Sequence, residues 1–265
     1  MASDSGDYEN LIVDYRDTVA TITINRPDVL NALNAETTRE LGEAVDFLAA
    51  DDRFHVLIIT GAGEQTFVAG ADISVLATYD PVAAREAARF GQSTFDKIEE
   101  CGKPVIAAIN GYALGGGFEL ALACHIRFAA EGAQMGLPEI NLGVIPGHGG
   151  TQRVTRLLGK GAAIELVCSG AHVNATDALS LGLVNAVHPA DSLMEAVYEF
   201  AANLAGKPRI AMRYALEAVN QGLNVTLKEG QAIEADLFGL CFATEDQTEG
   251  MNAFLEKRKA NWKGH

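Results

Sequence analysis

Near the start of the chain, hydrophobic residues alternate with polar ones in two short runs, Asn10 to Asp14 and Thr18 to Asn25. They are split by Arg16-Asp17, and this two-residue period predicts a β-hairpin. After that, helical and strand-like windows take turns. Asn34 stands where it can cap a helix running to about Ala50, and Val56 to Thr60 is a continuous apolar run suited to a buried strand. Asp80-Pro81 opens a long helix ending near Gly102, Val105 to Ile109 is a further strand, and Gly115 to Gly117 lead into an apolar helix followed by a strand over Ile126 to Ala129. Strands that alternate with helices predict a parallel sheet covered by helices, hence an α/β fold.

Beyond about Gly143 strand signals become rare. Helical windows follow one another over Gly150 to Leu158, Ala162 to Cys168, Thr176 to Leu181 and Ser192 to Leu204. Lys207-Pro208 breaks the series, and Arg209 to Gln221, Thr226 to Phe242 and Thr244 to Lys259 read as three more helices. The last of these opens on Thr244-x-x-Gln247, the spacing of a capping box. This places a soft boundary near residue 200, between a core over 1–200 and a helical region over 201–265, with a loose tail expected over Asn261 to His265.

Composition narrows the function classes. The chain has 265 residues, 48% of them hydrophobic, enough for one sizeable core. Its 20 Lys and Arg against 35 Asp and Glu give a formal charge of -15, a field that repels nucleic-acid backbones and anionic lipid. Neither nucleic acid nor a membrane is expected as a partner. The four cysteines, 101, 124, 168 and 241, are spaced neither as a metal site nor as a Cys-x-x-Cys pair, so no metal is expected and a reducing compartment fits. The first ten residues are acidic and lack the apolar or Arg-rich character of a targeting segment, and no run approaches the ~20 apolar residues of a membrane span. A cytoplasmic location is expected.

Candidate chemistry concentrates on two glutamates. Glu119 closes Gly115-Gly116-Gly117-Phe118 and opens Leu120-Ala121-Leu122-Ala123; Glu139 follows Pro138 and precedes Ile140-Asn141-Leu142-Gly143. Carboxylates in such apolar surroundings are costly to keep, and acid/base chemistry is the leading reason to keep them. The glycine triplet leaves bare amides at a helix N-terminus, where a carbonyl oxygen could approach, although spacing alone favours a tight turn that allows close packing. Ala69-Gly70-Ala71-Asp72-Ile73, leaving another strand, offers a second set of amides at the same end of an open sheet, although Asp72 by itself reads first as a turn or helix cap. His148, in Pro146-Gly-His-Gly-Gly, reads as a structural turn histidine, and His125 as the end of a helix.

Several ordered motifs carry a family resemblance. They are Asn25-Arg26-Pro27 with Asn31-Ala32-Leu33, Phe67-x-Ala-Gly-Ala-Asp-Ile73, the run from Lys103 to Glu119, Leu137-Pro-Glu-Ile140 continuing to Pro146-Gly-His-Gly-Gly-Thr-Gln-Arg153, Phe238 to Gln247, and Glu256 to Asn261. Together they span nearly the whole chain, which resembles the crotonase family and within it the enoyl-CoA hydratases. The resemblance implies a spiral of ββα units with a C-terminal helical trimerisation region, trimers often pairing into hexamers. It implies an acyl-CoA thioester as substrate and no separate cofactor, coenzyme A being part of the substrate. Carried onto this sequence, the catalytic acids are Glu119 and Glu139 and the oxyanion hole is made by the amides of Ala71 and Gly116. Ala69, Asp72, Ile73 and Ser74 line the coenzyme A side, where Ser74 stands in place of the basic residue many members carry. Lys259, in the basic run Lys257-Arg258-Lys259, is a candidate contact to a coenzyme phosphate, against the simpler reading of a solvated charged face.

The implied reaction is addition of water to a trans-2-enoyl-CoA, as in fatty-acid β-oxidation. Moving a double bond needs one proton shuttle, whereas hydration also needs a group to activate water, so two glutamates favour hydration over the isomerisation found elsewhere in the family. A non-catalytic crotonase-like binding protein is the remaining alternative.

Overall fold

The computed structural model describes residues 8–265; residues 1–7, most of the acidic start noted above, lie outside the described residues. Strands β1 (Leu11–Arg16) and β2 (Val19–Ile24) form the expected antiparallel hairpin, with Leu11 opposite Ile24 and Arg16 opposite Val19. Helix α1 (Ala35–Ala50) follows, and the side chain of Asn34 accepts from Thr37 N at 2.8 Å, satisfying one of the amides a helix start leaves open.

A three-part unit then repeats. β3 (Val56–Gly61) is followed by the short β4 (Thr66–Val68), then α2 (Ile73–Leu76) and α3 (Pro81–Glu100). β5 (Val105–Ile109), β6 (Tyr112–Leu114) and α4 (Gly116–Ala123) form the second unit. β7 (Ile126–Ala130), β8 (Gln134–Gly136), a 3-10 turn over Pro138–Leu142 and α5 (Gly150–Leu158) form the third. The longer strands join a six-stranded sheet in the order β1-β2-β3-β5-β7-β10, parallel from β2 onward. The short strands make a second sheet, β4-β6-β8-β9, in which β9 runs antiparallel to β8. Each unit therefore contributes a strand to either sheet and then a helix, which is a spiral of ββα turns.

The remaining elements are α6 (Lys160–Ser169), β9 (His172–Asn174), α7 (Ala175–Leu181), β10 (Ala186–His188), α8 (Leu193–Ala205), α9 (Arg209–Gly222), α10 (Leu227–Cys241) and α11 (Glu245–Leu255). α8 lies along β2, β3, β5, β7 and β10, while α9 and α10 pack on each other. The core is continuous across the spiral and includes Ile22, Leu57, Ile59, Phe67, Phe95, Ile106 and Phe118, all fully buried. Close approach governs one junction: a Cβ on Gly117 would lie 2.0 Å from Val68 O, so α4 sits directly on β4 only because that residue is glycine.

The C-terminal end departs from expectation. α11 stops at Leu255 rather than near Lys259, because Lys257 takes φ 55 and the chain doubles back. The tail, expected to be loose, is bonded to α11: Asn261 N donates to Glu249 Oε1 at 2.8 Å, and Lys263 N and Gly264 N donate to the buried Asp246 carboxylate at 2.6 and 2.9 Å. The reciprocal capping box sits at Thr226 and Glu229, at the start of α10, whereas at Thr244 only the threonine half forms, with Gln247 N donating to Thr244 Oγ1 at 3.1 Å. No helix of the described residues is long and apolar enough to cross a membrane.

Candidate active site

Both glutamates are brought to one turn. Gly115, between β6 and α4, has φ 51, a conformation open to glycine and strained for other residues, and its N–H donates to Gly136 O at 2.9 Å. α4 then begins with Gly116, whose amide, as the first of the helix, has no partner within it. Glu119 lies in the first turn of α4 and is 2% exposed. Its Oε1 accepts from His148 N at 2.8 Å and from Gly150 N at 2.7 Å, so the loop entering α5 fixes the carboxylate.

Glu139 approaches from the 3-10 turn after β8. A Cβ on Gly115 would be 3.0 Å from Glu139 Oε1, so this carboxyl rests on the bare glycine backbone. Its Oε2 is buried without a hydrogen-bond partner. Burial pushes the Glu139 carboxyl up to about 7, with a further push from the Glu119 charge. Burial also raises Glu119, while its two amide donors and the Arg153 guanidinium pull the other way. Amide donors stabilise the ionised form: two from the loop entering α5 hold Glu119 Oε1, whereas Glu139 Oε2 has none and only its own backbone N–H opposes the rise.

The second loop closes the turn from the other side. Leu33 N donates to Gly70 O and Asp72 N to Leu33 O, at 2.8 and 2.9 Å, and Ala69 N donates to Leu30 O at 3.1 Å. These bonds brace 69–72 against the Asn31-Ala32-Leu33 segment and leave Ala71 N without an acceptor among the described residues. A Cβ on Gly116 would lie 3.6 Å from Ala71 N, which brings the two candidate amides to one place. Asp72 caps α2, accepting from Ser74 N and Ser74 Oγ at 3.2 and 2.6 Å, the capping role its position favours. Ile73 is half exposed at the lip. Lys259 is exposed, and no hydrogen bond or ion pair among the described residues joins it to either glutamate or to 69–74.

These observations place catalytic-type carboxyls and free amides together, and comparison with known proteins agrees in kind. The family model described as enoyl-CoA hydratase/isomerase matches residues 14–265. The chain belongs to the enoyl-CoA hydratase/isomerase family. A crotonyl-CoA hydratase of Syntrophomonas wolfei is 47% identical over 255 residues, covering 96% of this chain and 98% of that one. A short-chain-enoyl-CoA hydratase of Clostridium acetobutylicum is 42% identical, covering 94% and 96%. The crystal structure of an enoyl-CoA hydratase from Bacillus anthracis superposes with a TM-score of 0.93 at 41% identity, covering 97% of this chain and all of that one.

Within the family fold, two histidines differ from each other. His125 is structural, as its position suggests: Nδ1 accepts from Val105 N at 3.0 Å and Nε2 meets Glu99 O at 3.0 Å. His148, read from sequence as another structural turn residue, instead stands at the site. Its Nδ1 is 3.6 Å from the Cβ position of Gly116 and, like Glu139 Oε2, is buried without a partner. Its place between Glu139 and Arg153 in the motif is the one sequence signal that hints at this. A cavity of about 860 Å³ between α3, α5 and α9 is lined by Asp96, Glu99, Arg153 and Arg213 and touches neither glutamate. No cluster of three or more His, Cys, Asp or Glu suited to a metal occurs among the described residues.

Proposed function

We propose that this chain is an enoyl-CoA hydratase that adds water reversibly across the 2,3-double bond of a trans-2-enoyl-CoA, in the syn sense, to give a 3-hydroxyacyl-CoA. One observation carries the reading: a buried carboxyl and a partly buried one, in different hydrogen-bonding surroundings, flank a single turn whose neighbouring amides are unspent. The acyl oxygen sits on Ala71 N and Gly116 N, which withdraw charge and make C3 electrophilic. Glu119, whose carboxylate accepts from two amides, takes a proton from water as its oxygen bonds to C3. The π electrons move onto the thioester oxygen, and the proton on Glu139 is delivered to C2 as they return. Losing one amide donor to the oxygen typically costs ~3 kcal/mol of barrier.

Coenzyme A lies along 69–74, with Asp72 setting the start of α2. Lys259 reaches a coenzyme phosphate across a subunit boundary rather than within its own chain. Self-association as a trimer, or a hexamer of paired trimers, covers the exposed apolar side chains of the C-terminal helices, among them Leu227, Phe238, Phe254 and Leu255, which are 65 to 83% exposed. The cytoplasm is the proposed location. The crotonyl and short-chain names of the two relatives make crotonyl-CoA the substrate to try first.

The test follows loss of the conjugated thioester's ultraviolet absorbance with purified protein across short, medium and long enoyl-CoA esters. Turnover that disappears in Glu119→Gln and in Glu139→Gln is the expected result. Double-bond migration without hydration would select the isomerase reading, and acyl-CoA binding without turnover the non-catalytic one.

A further inference from the structure

An imidazole stands beside the two carboxyls without a part in that mechanism. His148 is carried by the loop leading into α5, and both of its backbone polar groups are held: its N–H by Glu119 Oε1 at 2.8 Å, its carbonyl by Arg153 Nη1 at 3.2 Å. Arg153 is in turn fixed to α3, pairing with Asp96 at 2.6 Å and Glu99 at 2.8 Å. The ring is seated as firmly as the loop. It lies over Gly91 of α3, where a Cβ would come within 2.4 Å of Cδ2 and 2.6 Å of Nε2, and it meets the Phe95 ring edge-on at 5.4 Å. A glycine at position 91 thus makes room for an imidazole at position 148.

The seated ring brings Nδ1 close to the amide pair. The Cβ position of Gly116 is 3.6 Å from Ala71 N and 3.6 Å from His148 Nδ1, so a side-chain nitrogen and a free amide lie within reach of one point. That nitrogen is buried and has no hydrogen-bond partner within the described residues, so it is open to an acceptor from outside the chain. Burial also lowers the imidazole's affinity for a second proton, which keeps the ring neutral with a single N–H.

We propose that His148, as its Nδ1–H tautomer, donates a third hydrogen bond to the acyl oxygen held by the amides of Ala71 and Gly116. This rests on the hydratase reading, since the oxygen needs a third donor only if negative charge develops on it. A neutral donor suits this position, because it follows the growing charge without adding a full cation beside Glu119 and Glu139.

The experiment measures kcat and KM for crotonyl-CoA hydration in His148 and Gly91 variants beside wild type and Glu119→Gln. His148→Leu keeps bulk and removes the donor; kcat is expected to fall about 100-fold with KM changed less than about threefold. His148→Asn places an amide nitrogen the same number of bonds from the backbone as Nδ1 and is expected to recover at least about tenfold over the leucine variant. Gly91→Ala displaces the ring and is expected to lower kcat in the wild-type background, yet to cost nothing further in a Gly91→Ala/His148→Ala double variant relative to His148→Ala. A leucine variant as fast as wild type, or an asparagine variant as slow as leucine, overturns the donor role while the hydratase reading stands. A wild type without hydratase activity overturns both. Should the leucine variant fail to fold, the Gly91 pair decides: equal loss from Gly91→Ala with and without His148 assigns the effect to α3 packing and overturns the proposal.

Discussion

Replacing Glu139 by glutamine tests the site through stability as well as rate. Burial holds this carboxyl up to about 7 from an ordinary 4.5. In the unfolded chain the group ionises near 4.5, so between that pH and about 7 the folded state binds more protons and stability falls as pH rises. Above about pH 7 the full cost of an ionised Glu139 is present. At about 1.36 kcal/mol per pH unit its ceiling is near 3 kcal/mol, and solvent at this incompletely enclosed group reduces it to ~1–2 kcal/mol. Glu139→Gln removes the charge and keeps the shape. At pH 8 the variant should melt about 2–8 °C above wild type, and the difference should vanish toward pH 4.5 and below, where the folded-state carboxyl is neutral like the amide that replaces it. Hydration should meanwhile fall roughly 10²–10⁴-fold at every pH. The assay is a series of thermal melts by circular dichroism from pH 4.5 to 8 at fixed protomer concentration, with initial rates on crotonyl-CoA alongside. Parallel melting curves for the two proteins over the whole range, or a variant less stable at pH 8, would refute the claim that burial opposes ionisation of Glu139.

Three further outcomes are expected. Gly150→Ala puts a Cβ 2.8 Å from Glu119 Cγ and 2.9 Å from its Oε1, so it should displace the Glu119 carboxyl and lower kcat by about 10–100-fold, read by steady-state kinetics on a protein of unchanged circular dichroism. Arg127→Met leaves the carbonyls of Cys124 and Leu183, now 2.6 and 2.9 Å from the guanidinium, without a donor; a loss of ~3 kcal/mol should appear as a drop of ~6–12 °C in melting temperature. Phe254→Glu charges a side chain that is 83% exposed on a single chain, and sedimentation should show a shift toward monomers, whereas an unchanged oligomer would place the contact elsewhere.

Much of this architecture is legible in the sequence, and the exceptions share a physical cause. The hairpin, the buried strands and the helices announce themselves because each spans two or more periods of its pattern and several carry their own caps, as at Asn34 and Thr244. β4, β6 and β8 have three residues each, too short for any period, yet they build the second sheet that carries the site. The glutamates are visible because a carboxylate between alanines and leucines is costly, and the amides of Ala71 and Gly116 through family motifs. His148 is not: the partners that turn it from a loop residue into part of the site are Gly91 and Phe95, far back along the chain on α3. The C-terminal tail escapes for the same reason, since Asp246 gathers it through backbone amides that have no signature in sequence.

α4 shows how the fold supports negative charge at the site. All eight of its residues are buried, so neither end of the helix can leave its free polar groups to water. At the C-terminal end the Arg127 guanidinium takes the carbonyls of Cys124 and Ala121 at 2.6 and 3.4 Å, a cation at the negative pole of the helix. At the N-terminal end the amides stay open, and the charge they favour is supplied in part by Glu119 in the first turn. A fixed cation behind the helix and unspent amides in front both favour negative charge over Gly116. The energetic cost of keeping Arg127, Glu119 and Glu139 away from water is offset by the packing of α4 on β4 and β6. Substitutions that loosen this helix, such as Gly117→Ala against Val68 O, should therefore remove activity and stability together, whereas those at Glu139 separate the two.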